Sequence, residues 1–226
     1  VAFLHPDKQV VVMDGEGRFP KVWKAEWPFV ENIDYYPLRT WEEIRECYDL
    51  VSKKLKPGDW LFMEMVDKFW EQAQNAYIIK KFGMTLDEYL TNLKAEQGKK
   101  GDPDSMNMWQ VVKKEHNFGL MDPATSFLDA NVVLTAPAHP IMIGMDGKEL
   151  VDLFNAVGFR PEGEKRNFYR VNTCILFEID IKGGNPKRTW TTLKDKGRKR
   201  AWREPFDGAT RAWWETYVEF TTGGPG

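Results

Sequence analysis

Val10-Val11-Val12-Met13-Asp14-Gly15-Glu16-Gly17-Arg18 is the stretch that decides the fold. Four apolar residues run straight into an acidic corner punctuated by glycine. An unbroken apolar run of this kind reads as a buried strand of a parallel sheet, with its polar residues delivered at the carboxyl end. Ligands of open α/β sheets bind at that edge. Asp14 and Glu16 stand two apart, so both face one side of an extended chain. A carboxylate placed there orients a water for attack on a phosphate. Asp and Gly at a strand end also make a turn for purely backbone reasons, and the spacing alone favours neither reading.

Two later runs repeat the pattern. Trp60-Leu61-Phe62-Met63-Glu64-Met65-Val66-Asp67 is apolar until Glu64. An acid in that position holds a magnesium ion beside a phosphate chain, directly or through water, or it caps the helix that follows. Asn131-Val132-Val133-Leu134-Thr135-Ala136 is the third run and ends in a hydroxyl. Thr135 either senses a γ-phosphate or its attacking water, or is a β-branched residue closing a strand.

Helical signals separate these runs. Thr40-x-x-Glu43 is a capping box, followed by Ile44, Tyr48, Val51 and Leu55 on one helical face. Lys56-Pro57-Gly58-Asp59 stops that helix. Phe69, Ala73, Ala76 and Tyr77 predict a second helix, and Thr85-x-x-Glu88 opens a third. Residues 98–105 read as a loop, 108–118 as a helix and 123–128 as a further helical piece. Residues 147–157 predict a short helix with Gly158 as its stop. Residues 19–39 are rich in Trp, Pro and aromatics and read as irregular, with a short strand near 33–36. Residues 1–4 read as the end of a helix. Residues 159–168 read as a basic loop, and 169–181 and 188–193 as an antiparallel pair joined by the Gly183-Gly184-Asn185-Pro186 turn. Strands alternating with helices, then a hairpin, predict an α/β fold: a mainly parallel sheet flanked by helices, extended by a C-terminal antiparallel hairpin.

Composition narrows the chemistry. The 226 residues are 42% apolar with a net charge of −2, so a sizeable core is available and any polyanion surface must be a local patch. Cys47 and Cys174 lie far apart without a CxxC pattern and read as free thiols of a reducing compartment. His5, His116 and His139 lack metal-ligand spacing, which argues against structural zinc, and no GxSxG nucleophile elbow occurs. No signal peptide and no membrane-spanning run is visible, so the sequence predicts a soluble cytoplasmic protein with no membrane partner.

The basic residues cluster late. Lys165 and Arg166 form one group, and Arg198, Lys199, Arg200 and Arg203 another, with Phe168, Tyr169 and Trp202 nearby. Cations beside stacking rings suit single-stranded nucleic acid; the alternative is a surface patch balanced by acids elsewhere. Lys194 and Lys196 alternate along an extended stretch, so both reach one way, toward a nucleotide's phosphates or into solvent as a basic turn. The tryptophans of the tail, including Trp213 and Trp214, read as packing anchors.

Taken in order, these pieces resemble the RecA-like ATPase core, in the compact form of phage nucleotide-binding proteins related to single-strand annealing recombinases. The resemblance covers roughly residues 8–200, with 201–226 a Trp-rich tail. It implies that Glu16 polarises the hydrolytic water, with Asp14 beside it at the nucleotide. It places Glu64 at the magnesium position, where the family has Asp, and Met65 where the family has Ser. It makes Thr135 the polar sensor, and Lys194 and Lys196 contacts to the phosphates of an adjacent protomer. It further implies ATP and Mg²⁺ as cofactors, a homo-oligomeric ring or filament, single-stranded DNA meeting residues 136–168, and the host cytoplasm for a phage-encoded protein. The family's phosphate loop, GxxxxGK[ST], does not occur in these residues. Two explanations stand: an N-terminal segment upstream of Val1, which is not a Met, or a degenerate relative. Two other classes stay open. One is a non-catalytic nucleic-acid-binding or assembly subunit on the same fold; the other is an unrelated α/β enzyme using Glu16 and Glu64 as a metal pair.

Overall fold

The structure is a computed structural model, and it describes residues 2, 5–95, 103–144, 146–180, 187–195 and 203–206. The apolar runs become neighbouring parallel strands. The chain passes through β1 (Val10–Asp14), α1 (Phe19–Glu26), β2 (Ile33–Pro37), α2 (Trp41–Lys54), β3 (Trp60–Glu64), α3 (Val66–Phe82), α4 (Leu86–Ala95), α5 (Pro103–His116) and β4 (Asn131–Leu134). Sheet order is β2-β1-β3-β4, and all three pairings are parallel. The fold is therefore the mainly parallel α/β sheet that the strand runs predict.

Alternation along the strands divides the core in two. Val11, Met13, Leu61 and Met63 face one side, where Trp41, Ile44, Tyr48 and Val51 of α2 and Phe69 of α3 cover them. Val10 and Val12 face the other side, against Phe19 of α1 and Val30, with Trp60 and Phe62 only partly buried there. Ile44, Val51 and Phe69 are wholly enclosed; burial of each such side chain contributes about 1.5–3 kcal/mol. Both capping boxes form. Thr40 Oγ1 accepts the Glu43 amide at 3.2 Å while Glu43 Oε2 accepts the Thr40 amide at 3.1 Å. At α4, Glu88 donates its amide to Thr85 Oγ1 and accepts the Thr85 amide at 2.7 Å.

Three stretches differ from the sequence reading. Residues 19–26 are helical, because a proline in the first turn presets the backbone and gives up an amide that no helix start can use. The pieces at 108–118 and 123–128 belong to one winding path: α5 ends at His116 and continues as π-helical turns Asn117–Met121 and Pro123–Phe127. Pro123 has no amide and crowds the carbonyl one α-turn back, which the wider π spacing relieves. The basic loop holds β6 (Phe159–Pro161), paired antiparallel with β5 (Ala138–Pro140) after α6 (Lys148–Phe154). It ends in α7 (Asn167–Arg170), so the hairpin strand begins later than expected.

The hairpin itself is present. β7 (Thr173–Asp180) pairs antiparallel with β8 (Lys187–Asp195), and β9 (Arg203–Phe206), from the segment read as tail, adds a third strand. Of the loop expected at 98–105, residues 98–102 lie outside the described residues, while 103–105 form the first turn of α5, where Pro103 suits a helix start; the expected helix end at residues 1–4 apart from Ala2, the turn at 183–186 and the tryptophans at 202, 213 and 214 also lie outside the described residues. Among the described residues no helix is long and apolar enough to cross a membrane.

Candidate functional site

The connections leaving β1 and β3 run in opposite directions. β1 leads through α1 to β2 on one flank, while β3 leads through α3 to β4 on the other. Right-handed crossovers then place α1 on one face and α3 on the opposite face, opening a crevice at the carboxyl ends of β1 and β3. The acids identified in the sequence converge there. Asp14 is paired in register with Glu64, and Thr135 follows Leu134, the partner of Met63. With a side-chain period of two, Asp14, Glu64 and Thr135 form one row across three strands on one face.

The members of that row are used differently. Asp14 is almost fully enclosed. Its Oδ1 accepts the amides of Glu16 and Gly17, both at 2.8 Å. Its Oδ2 accepts the Phe19 amide at 3.2 Å and the Tyr35 hydroxyl at 3.0 Å. Four donors occupy the carboxylate, so Asp14 performs the turn role. It bends the chain from β1 toward α1 and so presents Glu16. Burial, helped by that bond to Asp14, pushes the Tyr35 hydroxyl up to about 12.

Glu16 stands on the loop that Asp14 shapes. Its carboxylate lies 3.4 Å from Arg18 Nε, and Arg39 Nη1 donates to its backbone carbonyl at 3.3 Å. The loop lies close over α3: a Cβ at Gly15 would stand 2.9 Å from Lys68 Cβ, and the Gly15 amide donates to Glu64 O at 3.2 Å. Only glycine permits that approach.

Glu64 and Thr135 are bonded to each other. Thr135 Oγ1 donates to Glu64 Oε2 at 2.7 Å and accepts the Met65 amide at 2.8 Å. Thr135 O accepts the Val66 amide at 2.9 Å. Met65 is the only described non-glycine residue with positive φ, at 63°. A left-handed residue without a stabilising side chain is strained, and Thr135 fixes it by binding its amide and that of the next residue, Val66. Glu64 therefore does not cap α3, which has no side-chain cap. Burial raises the Glu64 carboxyl above the usual range; the Thr135 bond opposes this, and Asp14, Glu16 and Asp67 reinforce it.

Among the described residues no group of three His, Cys, Asp or Glu side chains could hold a metal alone. A magnesium ion fits here only as phosphate-bound Mg²⁺, which commonly takes one or two protein carboxylates and keeps its waters. Glu64, with one oxygen engaged by Thr135, matches that donor set.

The basic candidates lie elsewhere. Lys194 donates to Phe168 O at 2.8 Å and Tyr169 O at 3.2 Å, at the end of α7, with its ammonium 4.9 Å from the Phe168 ring centroid. Lys165 and Arg166 are exposed in the turn before α7. Phe168 packs with Leu150 and Phe154 in a small core, and the Tyr169 hydroxyl donates to Glu149 at 2.7 Å. Lys196, Arg198, Lys199 and Arg200 lie outside the described residues. Both cysteines are free, and burial pushes each thiol up to about 11, which argues against a thiolate nucleophile.

Three groups escaped the sequence reading. Tyr35 completes the Asp14 cluster from β2. Arg170, nearly enclosed, donates to Asp122 at 2.9 Å and to Glu164 at 3.4 Å, tying α7 to the π turns. Asp67 is buried at the start of α3 and lies against Gly163, which follows β6. Only Asp67 carried a signal, as the second acid after the Trp60 run. No protein-family model matches this chain, and no curated protein matches it.

Proposed function

We propose that this chain is a RecA-like nucleotide-binding protein that hydrolyses ATP while acting on single-stranded DNA in phage-type recombination or repair. One observation carries the reading: Asp14, Glu64 and Thr135 form one row at the point where the β1 and β3 connections diverge, and the charge of Glu16, on the loop that Asp14 shapes, is felt by Glu64. Glu16 positions the attacking water as a general base. Glu64 takes one place on a phosphate-bound Mg²⁺, and Thr135 holds its carboxylate in place. Lys165 and Arg166, with Arg198, Lys199 and Arg200, supply phosphate contacts to DNA. Lys194 and Lys196 act across a subunit boundary of a ring or filament, and such an assembly works in the cytoplasm.

The phosphates also need a cradle of backbone amides, and GxxxxGK[ST] is absent from the 226 residues. Titration with ATP and Mg²⁺ tests the reading, on this chain and on the chain joined to its upstream coding residues. Saturable binding in either supports it. No saturable binding in both rejects it in favour of a non-catalytic nucleic-acid-binding or assembly subunit. That second reading is favoured by Lys194, whose ammonium bonds within its own chain.

A further inference from the structure

Glu16 is held from both of its ends. Its carboxylate lies 3.4 Å from Arg18 Nε, and its backbone carbonyl accepts Arg39 Nη1 at 3.3 Å. The two arginines differ in what stands behind them. The Arg18 side chain is 79% exposed and belongs to the same loop, so it moves with Glu16. Arg39 comes from outside that loop, two residues past the end of β2.

Residue 39 has a fixed base. The Leu38 amide donates to Asp14 O at 2.9 Å. The Arg39 and Thr40 amides both donate to Glu43 Oε2, at 2.6 and 3.1 Å, as part of the capping box that opens α2. Neighbouring strands stand about 4.8 Å apart, and the long Arg39 side chain crosses that step to the loop leaving β1. Its guanidinium lies against Gly17: a Cβ there would stand 2.5 Å from Nη2, at a φ of +75°. Backbone and guanidinium therefore both require glycine at this position. A planar guanidinium covers a bare backbone and offers several N–H groups, where an ammonium is a single point charge. Among the described residues no carboxylate forms an ion pair with Arg39. No acid thus competes with the Glu16 carbonyl for its N–H groups.

We propose that Arg39 is a positioning residue for Glu16: it clamps the Gly15–Gly17 loop to the end of β2 and so fixes where the Glu16 carboxylate stands. Its consequence for chemistry rests on the nucleotide reading above, since a general base acts only from a set position. Arg39 acts through the loop backbone, not on the phosphates.

The Glu16 and Gly17 amides both donate to Asp14 Oδ1, so their protection reports opening of the loop. Hydrogen exchange of the full chain is compared for wild type, Arg39→Ala and Arg39→Lys. In Arg39→Ala these two amides should exchange on the order of tenfold faster, with the amides of β1 and β3 unchanged. Arg39→Lys, which keeps one donor, should fall between. The second measurement is ATP turnover in the chain extended upstream of Val1. Arg39→Ala should lower kcat on the order of tenfold with KM for ATP held within about twofold, and Arg39→Lys should restore part of kcat. Exchange reads the clamp whether or not ATP is turned over, so the two ideas fail separately. An inactive wild type rejects the nucleotide reading, while faster loop exchange in Arg39→Ala still supports the clamp. Unchanged exchange in Arg39→Ala overturns the proposal even where the wild type is active. A raised KM with unchanged kcat also overturns it, because Arg39 would then be a phosphate contact.

Discussion

Replacing Asp14 with Asn separates architecture from chemistry at the strand-end site. The carboxylate accepts two amides on Oδ1, and an amide and a hydroxyl on Oδ2. An Asn side chain keeps one acceptor oxygen and turns an NH₂ toward the donors of the other. The Tyr35 hydroxyl can rotate and accept instead; the Phe19 amide cannot. One bond is lost with a buried amide left unpaired, at about 1–3 kcal/mol, and the remaining bonds fall from charge-assisted to neutral strength, at about 1 kcal/mol each. The expected loss is about 4–6 kcal/mol, a large share of the stability of a typical domain. Urea denaturation at pH 7 reads it. Tyr35→Phe alone should cost about 1–2 kcal/mol, and Asp14→Asn should cost less in that background than in the wild type, because the two share a bond. An Asp14→Asn protein within about 0.5 kcal/mol of wild type, yet defective in nucleotide turnover, would refute the structural assignment and make Asp14 a reacting group.

The remaining predictions concern groups whose surroundings oppose charge or volume. His116 is enclosed between Trp41 and Trp70 with Nε2 unpartnered among the described residues, and burial lowers it to about 4 from 6.5. Its depressed value means stability is full above pH 6.5 and falls as pH drops toward 4, by about 3 kcal/mol in all; urea midpoints of His116→Gln should lack that portion of the slope. Glu64 has the opposite sign. Its raised carboxyl stabilises the fold at acid pH and loses that contribution as pH rises, so Glu64→Gln should raise the urea midpoint at pH 7 and leave it unchanged near pH 4. Gly163 has φ +98° against the Asp67 backbone, so Gly163→Ala should cost about 1–3 kcal/mol through strain and crowding, measured by thermal unfolding.

The parts of the fold that could be read from the sequence are those whose signal is local. Three unbroken apolar runs announced β1, β3 and β4, and their polar ends announced the converging edge. Thr40 and Thr85 announced two helix starts because a capping box lies within four residues. The α1 helix was hidden, since Trp, Pro and Phe residues that look irregular in sequence become one packed face only against β1 and β2. The three-residue strands β5 and β6 are too short to show alternation. At the site, Glu64 and Thr135 were individually ambiguous, and the parallel register that bonds them joins distant segments. The use of Asp14 could not be read either, because its deciding donors come from Phe19 and from Tyr35 on another strand.

The central claim is that Glu16 acts on a nucleotide held at the diverging ends of β1 and β3. Steady-state ATP turnover with single-stranded DNA, comparing wild type with Glu16→Gln in the chain extended upstream of Val1, tests it most directly. Glu16 is half-buried on a surface loop, so the substitution should leave the urea midpoint in place. Turnover should fall by about two orders of magnitude or more while ATP affinity is retained. Equal turnover in the two proteins contradicts it.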